Sequence, residues 1–397
     1  MDKIATASGA NDQGVQDSPA HMPQLDSLRA LAFLGVAASH WFSNKNLISL
    51  FGGTGVQLFF VLSGFLITGI LLEYRRLQEG SGWLTAGSAL RTFYARRFLR
   101  ILPLYYGVIA VTAILNVQPI RTYWPWHAAY VPNFLYAIDK PSSGDPFTHF
   151  WSLGVEEQFY FVWPFLIFFA PLRSLRWWIA ALIISAPLFR IGMEAAFPQL
   201  HRVNYLPLSC GDSLGVGACL AFAWRNGLFF TWTPSALARA LGVLGLAGGL
   251  ITGCLMLTAN DGFWLLSLGH TFLIFVYGWL VYRAAVGFRG VIGVVLMRPE
   301  LRFLGKISYG LYVFHHFFTH VSFRVFLENF GLPSRIAENV FTQSLVRLLI
   351  TILVAFASWY LYENPLNNLK RHFSLHRKFA EHIVPEGVTP ACQDRSS

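Results

Sequence analysis

Charge is what this chain has least of. Only 13% of its 397 residues are charged, against 54% that are hydrophobic, among them 36 Phe and 13 Trp. A soluble domain of this size needs a polar exterior that such a composition cannot supply, which excludes a soluble fold. Cysteine is scarce as well. Cys210, Cys219, Cys254 and Cys392 show neither metal-ligand spacing nor a paired framework. Three of them lie in apolar runs, where a thiol behaves as a small hydrophobe, so neither a disulfide nor a metal is expected. The first 24 residues have no basic n-region and no cleavage box, so no leader is expected to be removed. Their polar, Gly- and Ser-bearing composition predicts a disordered tail. Internal repeats and a second soluble domain are also missing from the pattern.

The net charge of +10 invites a nucleic-acid reading. The basic residues, however, fall between apolar runs rather than on one polar domain, so nucleic acid is not an expected partner. Segments long enough to cross a bilayer lie at 25–43, 55–73, 101–117, 154–171, 177–193, 206–224, 240–257, 264–282, 307–327 and 342–361. The expected fold is therefore an all-α polytopic membrane protein with about ten transmembrane helices. Placing the N-terminus inside puts twenty Lys and Arg in the inner loops and the C-terminal tail, and only Lys45, Arg121, Lys140, Arg202 and Arg335 outside. This asymmetry predicts both termini to be cytoplasmic. The chain then divides into a tail at 1–24, a transmembrane domain at 25–365 and a basic cytoplasmic tail at 366–397. Within the inner loop Glu73–Arg100, aromatics alternate with arginines in the manner of an interfacial basic helix. The outer loop Gln118–Phe150 is rich in Tyr, Trp, Pro and His, which suits either carbohydrate stacking or a membrane interface.

Five stretches carry possible chemistry. Leu25–Trp41 is apolar except for Asp26, Arg29 and His40. Arg29 and His40 are eleven residues apart, about three turns and ~16 Å on one face, and Asp26 shares that face. The stripe is either an interfacial anchor with a packing histidine or a functional intramembrane pair. Residues 51–76 hold Gly52, Gly53 and Gly55, then Ser63-Gly64 midway, small residues that allow close helix approach. Arg96, Arg97 and Arg100, in FYARRFLRILPLYY, suit bidentate phosphate binding or simple topology anchoring. Glu156 and Glu157 are expected to open a helix at its outer end, where one carboxylate favours the helix dipole and the other is free to face a cavity. His315, His316 and His320 follow Lys306 in LGKISYGLYVFHHFFTH. His315 is placed well inside the bilayer as a further catalytic candidate. The i,i+4 pair His316 and His320 has no acidic or cysteine company to make a zinc site.

Taken in order, LDSLRALAFLGVAASHW, GVQLFFVLSGFLI, FYARRFLRILPLYY, HFWSLGVEEQFYFVWP, ISYGLYVFHH and YENP resemble the acyltransferase-3 family across residues 25–365. These are ten-helix bacterial membrane O-acyltransferases that modify cell-surface and exported glycans. Gln57 stands where relatives often carry an acid, and Phe317 where a proline is common. The resemblance implies acetyl-CoA as donor and a carbohydrate or glycolipid as acceptor, in the bacterial cytoplasmic (inner) membrane among its lipids. It implies that Arg29 and His40 are central, and that Arg96, Arg97 and Arg100 serve the coenzyme's phosphates. On this reading His40 acts as general base with Glu156 or another acid orienting its ring, or carries the acyl group itself, while Arg29 and Asp26 fix the inner mouth or neutralise charge on the donor. The rival class is a transporter or channel whose buried charges line a path.

Overall fold

A computed structural model describes residues 22–42, 48–82, 84–139, 144–200, 202–256, 263–373 and 375. Among these, helix is the regular element throughout, and the β-pairing is an isolated bridge between Phe229 and Trp232. In chain order come α1 (Pro23–Trp41), α2 (Ile48–Gly80), α3 (Ala86–Ile114), α4 (Ile120–Ala128), α5 (Pro132–Ile138) and α6 (Phe150–Phe169). Then follow α7 (Leu172–Ala196), α8 (Gly211–Asn226), α9 (Pro234–Met256), α10 (Phe263–Val286), α11 (Gly290–Leu296) and α12 (Pro299–Lys306). The chain continues with α13 (Ser308–His315), α14 (Arg324–Asn329), α15 (Ser334–Ala337), α16 (Val340–Ser358) and α17 (Asn364–Asn368). The expected tail at 1–24 falls almost wholly outside the described residues, as does most of 366–397.

Among the described residues, six helical stretches are long and apolar enough to cross a membrane, in α2, α3, α7, α9, α10 and the run from Val340 to His372. The other four expected spans belong mostly to the inside of the bundle. There a helix is surrounded by protein and need not be apolar all round. α8 is buried along nearly its whole length, and its sixteen residues begin only after 3₁₀ turns at Val203–Tyr205 and Pro207–Cys210. α1 and α6 bury most of one side. Lipid-type faces are carried instead by outer helices, for example Leu244, Leu246 and Leu250 on α9 and Leu349 and Leu353 on α16.

Small residues set the closest crossings, as expected where packing rather than the hydrophobic effect joins helices. A Cβ at Gly64 of α2 would collide with the Leu214 carbonyl, and one at Gly217 of α8 with the Val61 carbonyl. α1 is held on its other side by α12, where Gly305 leaves no room for a Cβ against the Asp26 carbonyl.

Three expectations are corrected. The basic run at 73–100 is not a separate interfacial helix: from Ala86 it is continuous with α3, started by a Thr85–Ser88 capping box and passing through Pro103. Glu156 and Glu157 do not open a helix, because α6 begins at Phe150 and the pair sits almost two turns inside. The segment 307–327 is not one span. His315 Nδ1 takes the Tyr312 carbonyl at 2.6 Å, so the His316 N–H turns to Phe314 instead and α13 gives way to a 3₁₀ turn at His316–Phe318.

Candidate active site

Two adjoining spaces meet between α1 and α3, the first bounded by α12 and α17 and the second by α2, α6 and α13. The first is lined by Arg29, Arg100, Arg302, Lys306 and Lys370 with Asp26, Trp359, Asn364 and Asn367. Five cations face one acid, and Lys306 lies over the Trp359 ring at 5.2 Å. The second is lined by Arg29, Arg97 and Arg100, then Ser63, Glu156, Glu157 and Tyr160, with Ser152, Tyr309 and Tyr312 and an apolar wall that includes Phe59, Phe60 and Leu153. Arg29 and Arg100 belong to both and form the neck between them.

Local structure explains the neck. Arg29 is tied to Asp26 at 2.9 Å one turn earlier on α1. No ion pair to Arg100 is formed among the described residues. Arg97 stacks its guanidinium over Tyr160 of α6 at 4.5 Å. Glu156 accepts from Ser63 Oγ at 2.6 Å, and Tyr160 donates to the same Ser63 oxygen at 2.8 Å, joining α6 to α2 beside the arginines. Arg96 is placed differently: it donates to the Phe373 carbonyl at 2.9 Å and clamps the C-terminal segment. It lines neither space.

The second space ends at Ser152 and Tyr312, whose hydroxyls are hydrogen-bonded to each other at 2.5 Å and both lie 3.1 Å from the His149 carbonyl, to which one of them donates. Beyond them four imidazoles form a square. His40 meets His315 at 5.3 Å and His316 at 4.7 Å between ring centroids; His149 meets the same two at 4.9 and 5.1 Å. His40 and His149 therefore occupy opposite corners. His315 and His149 are fully closed in, whereas the His40 ring is open on one side. His320 adjoins His316 at 6.1 Å.

Tautomers follow from the acceptors. A carbonyl can only accept, so His315 Nδ1 carries its hydrogen toward Tyr312 and His149 Nε2 carries its own toward Val313 at 3.1 Å. That leaves His315 Nε2 and His149 Nδ1 as lone-pair nitrogens, buried and without partners. His316 Nδ1 is also unpartnered. Among the described residues no group of three or more His, Cys, Asp or Glu side chains is arranged to hold a metal ion.

The structure thus brings Asp26, Arg29, Arg97, Arg100 and Glu156 around the two spaces and His40 and His315 together at the far end. Glu156 is hydrogen-bonded to Ser63 on the arginine side, so its partner is not an imidazole ring. Sequence reasoning missed His149, Ser152 and Tyr312. It also missed Arg190, fully buried on α7, which donates to Asp212 at 2.8 Å, to Thr271 at 2.7 Å and to Ser267 at 3.0 Å. A lone Arg and a lone Asp inside apolar runs were the available signal.

A protein-family model described as an acyltransferase domain matches residues 22–363. The chain is 27% identical over 378 residues to O-acetyltransferase OatA of Staphylococcus aureus (strain NCTC 8325 / PS 47), an alignment covering 88% of this chain and 58% of that protein. It is 28% identical over 330 residues to peptidoglycan O-acetyltransferase OatA of Listeria monocytogenes serovar 1/2a, covering 75% and 49%. The chain therefore spans about half the length of these relatives. No solved structure matches it.

Proposed function

The chain belongs to the acyltransferase domain family, and on that premise we propose that it moves an acyl group, acetyl first, from cytoplasmic acyl-CoA to a hydroxyl of a cell-surface or exported carbohydrate or glycolipid. Its place is the bacterial cytoplasmic membrane, with the basic side inward. The observation that carries this reading is the succession from a cationic vestibule, through a two-arginine neck, to a largely apolar cavity with a few polar groups that stops short of four imidazoles.

The donor is polyanionic at its nucleotide end and uncharged along its pantetheine arm. Arg100, Arg302, Lys306 and Lys370 suit the phosphates, since guanidinium groups bind phosphate bidentately and lysines as point charges. Arg29, already paired with Asp26, fixes the mouth. The arm then passes Arg97, Glu156 and Ser63 and brings the thioester to the Ser152–Tyr312 end. At the far corner His40, open on one side, receives the acceptor. The acceptor O–H bond breaks with its proton going to His40, an O–C bond forms at the acyl carbon, and the C–S bond breaks. His315 buttresses His40 with its Nε2 free. Peptidoglycan, named for the Listeria relative, is the first acceptor to test, followed by other envelope glycans.

His40→Ala should insert and fold yet lose acyl transfer to envelope glycan, and retained transfer would remove His40 from the mechanism. Rapid quench with radiolabelled acetyl-CoA and no acceptor separates the two chemical routes, because label held on His40 would mean an acyl-imidazole carrier. A transporter would instead show flux without consumption of acetyl-CoA.

A further inference from the structure

Transfer leaves a proton to be returned. The hydroxyl adds to the acyl carbon and the coenzyme thiolate leaves from the tetrahedral intermediate, so the proton taken by His40 is returned to sulfur either by His40 itself or by a second imidazole on the donor side. The square offers a second. His149 sits diagonally across from His40, and His315 and His316 each touch both. Its Nε2 hydrogen is committed to the Val313 carbonyl, and its Nδ1 is buried without a partner. Its own carbonyl is gripped by Ser152 and Tyr312, the two residues that end the donor cavity. Of the two rings beside Tyr312, His315 at 5.3 Å and His149 at 5.5 Å between centroids, His149 is the one that stands across the square from His40, the corner open to the outside.

We propose that His149 is a second acid–base residue of the acyl-transfer site, returning to the coenzyme sulfur the proton that His40 removes from the acceptor. The inference rests on the acyl-transfer reading above. In the step, the O–H and C–S bonds break and the O–C bond forms. The proton moves from His40 through His315 Nε2 to His149 Nδ1 and ends on sulfur as the coenzyme thiol. Each imidazole regains its starting tautomer and no oxidant or co-reactant is needed. The titratable groups facing His149 are His40 from α1, His315 and Tyr312 from α13, and His316 from the turn after it.

The test compares two donors on the full-length protein in nanodiscs, with an extract of envelope glycan as acceptor. His149→Gln keeps a donor for the Val313 carbonyl but cannot carry a proton, and His149→Asn replaces it should Gln fail to fold. With acetyl-CoA the variant is expected to lose about 10²–10⁴-fold in kcat at nearly unchanged KM. With the acetyl thioester of nitrothiophenol, whose thiolate leaves unprotonated, most of that loss should vanish. His40→Gln should stay inactive with both, because the hydroxyl must be deprotonated in either case. Equal losses of the His149 variant on the two donors would mean a merely structural role and overturn the proposal. Where the parent does not accept the aryl donor, the kcat–pH profile with acetyl-CoA decides: loss of one limb supports the proposal, and two unchanged limbs overturn it. A parent that releases no thiol from acetyl-CoA at all defeats the underlying acyl-transfer reading, which is recognisable because no variant is then involved.

Discussion

Arg96, Arg97 and Arg100 look interchangeable as a phosphate-binding motif, yet their surroundings sort them, and substitution should do the same. Arg100 lines both spaces at the neck and forms no ion pair among the described residues. Arg96 spends its guanidinium on the Phe373 carbonyl. Replacing Arg100 with Gln removes a charge-assisted hydrogen bond to a bound phosphate, worth about 1.5–3 kcal/mol, or about 10- to 150-fold in affinity. Arg96→Gln removes a clamp on the C-terminal segment and should leave coenzyme affinity within about twofold while costing on the order of 1 kcal/mol of stability. The assay is calorimetric binding of coenzyme A to the protein in nanodiscs, repeated at two salt concentrations, beside thermal melts of each variant. Arg100→Gln should also flatten the salt dependence, since a screened charge has been removed. Equal weakening by the two variants, or undiminished binding by Arg100→Gln, would refute this assignment of the vestibule.

Other expectations follow from single contacts. Arg190→Met leaves Asp212 buried without its partner and should cost about 3–5 kcal/mol, whereas Arg190→Met combined with Asp212→Leu should recover most of it; denaturation midpoints of the two variants make the comparison. Tyr312→Phe removes one of the two hydroxyls on the His149 carbonyl, so about 1 kcal/mol of stability and a fall in kcat are expected with KM for acetyl-CoA almost unmoved; a larger change in KM than in kcat would transfer Tyr312 to donor binding. His127, on α4, is buried against Tyr136, and burial lowers its pKa from 6.5 to about 4. The unfolded chain then takes a proton that the folded one refuses, so stability is complete above pH 6.5 and declines as pH falls toward 4, by roughly 3 kcal/mol at 1.36 kcal/mol per unit. His127→Gln should remove that decline in melts recorded from pH 7 to pH 4.

Much of the fold was legible because hydrophobic runs report on a helix's surroundings. Outer helices such as α9 and α16 meet lipid and read clearly. The pattern fails where a helix is enclosed by protein, as with α8, or where a side chain competes with the backbone. Nothing in the hydropathy of ISYGLYVFHHFF marks the end of a helix. The break at His315 comes from its own ring taking the Tyr312 carbonyl, a contest decided by geometry three residues away. The same limit applies to the arginines. Helical phase sets Arg100 about 40° from Arg96 and about 60° from Arg97, too little to tell them apart. What separates them is the docking of Phe373, some 270 positions later in the chain.

The site follows the same division. The eleven-residue interval from Arg29 to His40 was readable because one helix carries both, with Arg29 at the neck between the two spaces and His40 in the imidazole square. His149 was unreadable for the opposite reason. Its free nitrogen is defined by the Val313 carbonyl, 164 positions away, and by rings contributed from α1 and α13. A histidine before an aromatic run has no meaning until those elements meet. An ionisable group whose partners lie on its own helix can be found by periodicity, and one whose partners lie on other helices can be found only by asking why so costly a residue was kept in an apolar run. Applied to this chain, that question selects His149, Arg190 and Asp212 alike. Of these three, His149 keeps a ring nitrogen without a partner, as His315 and His316 beside it do, whereas Arg190 and Asp212 satisfy each other. Chemistry is therefore to be sought at the first and stability at the pair.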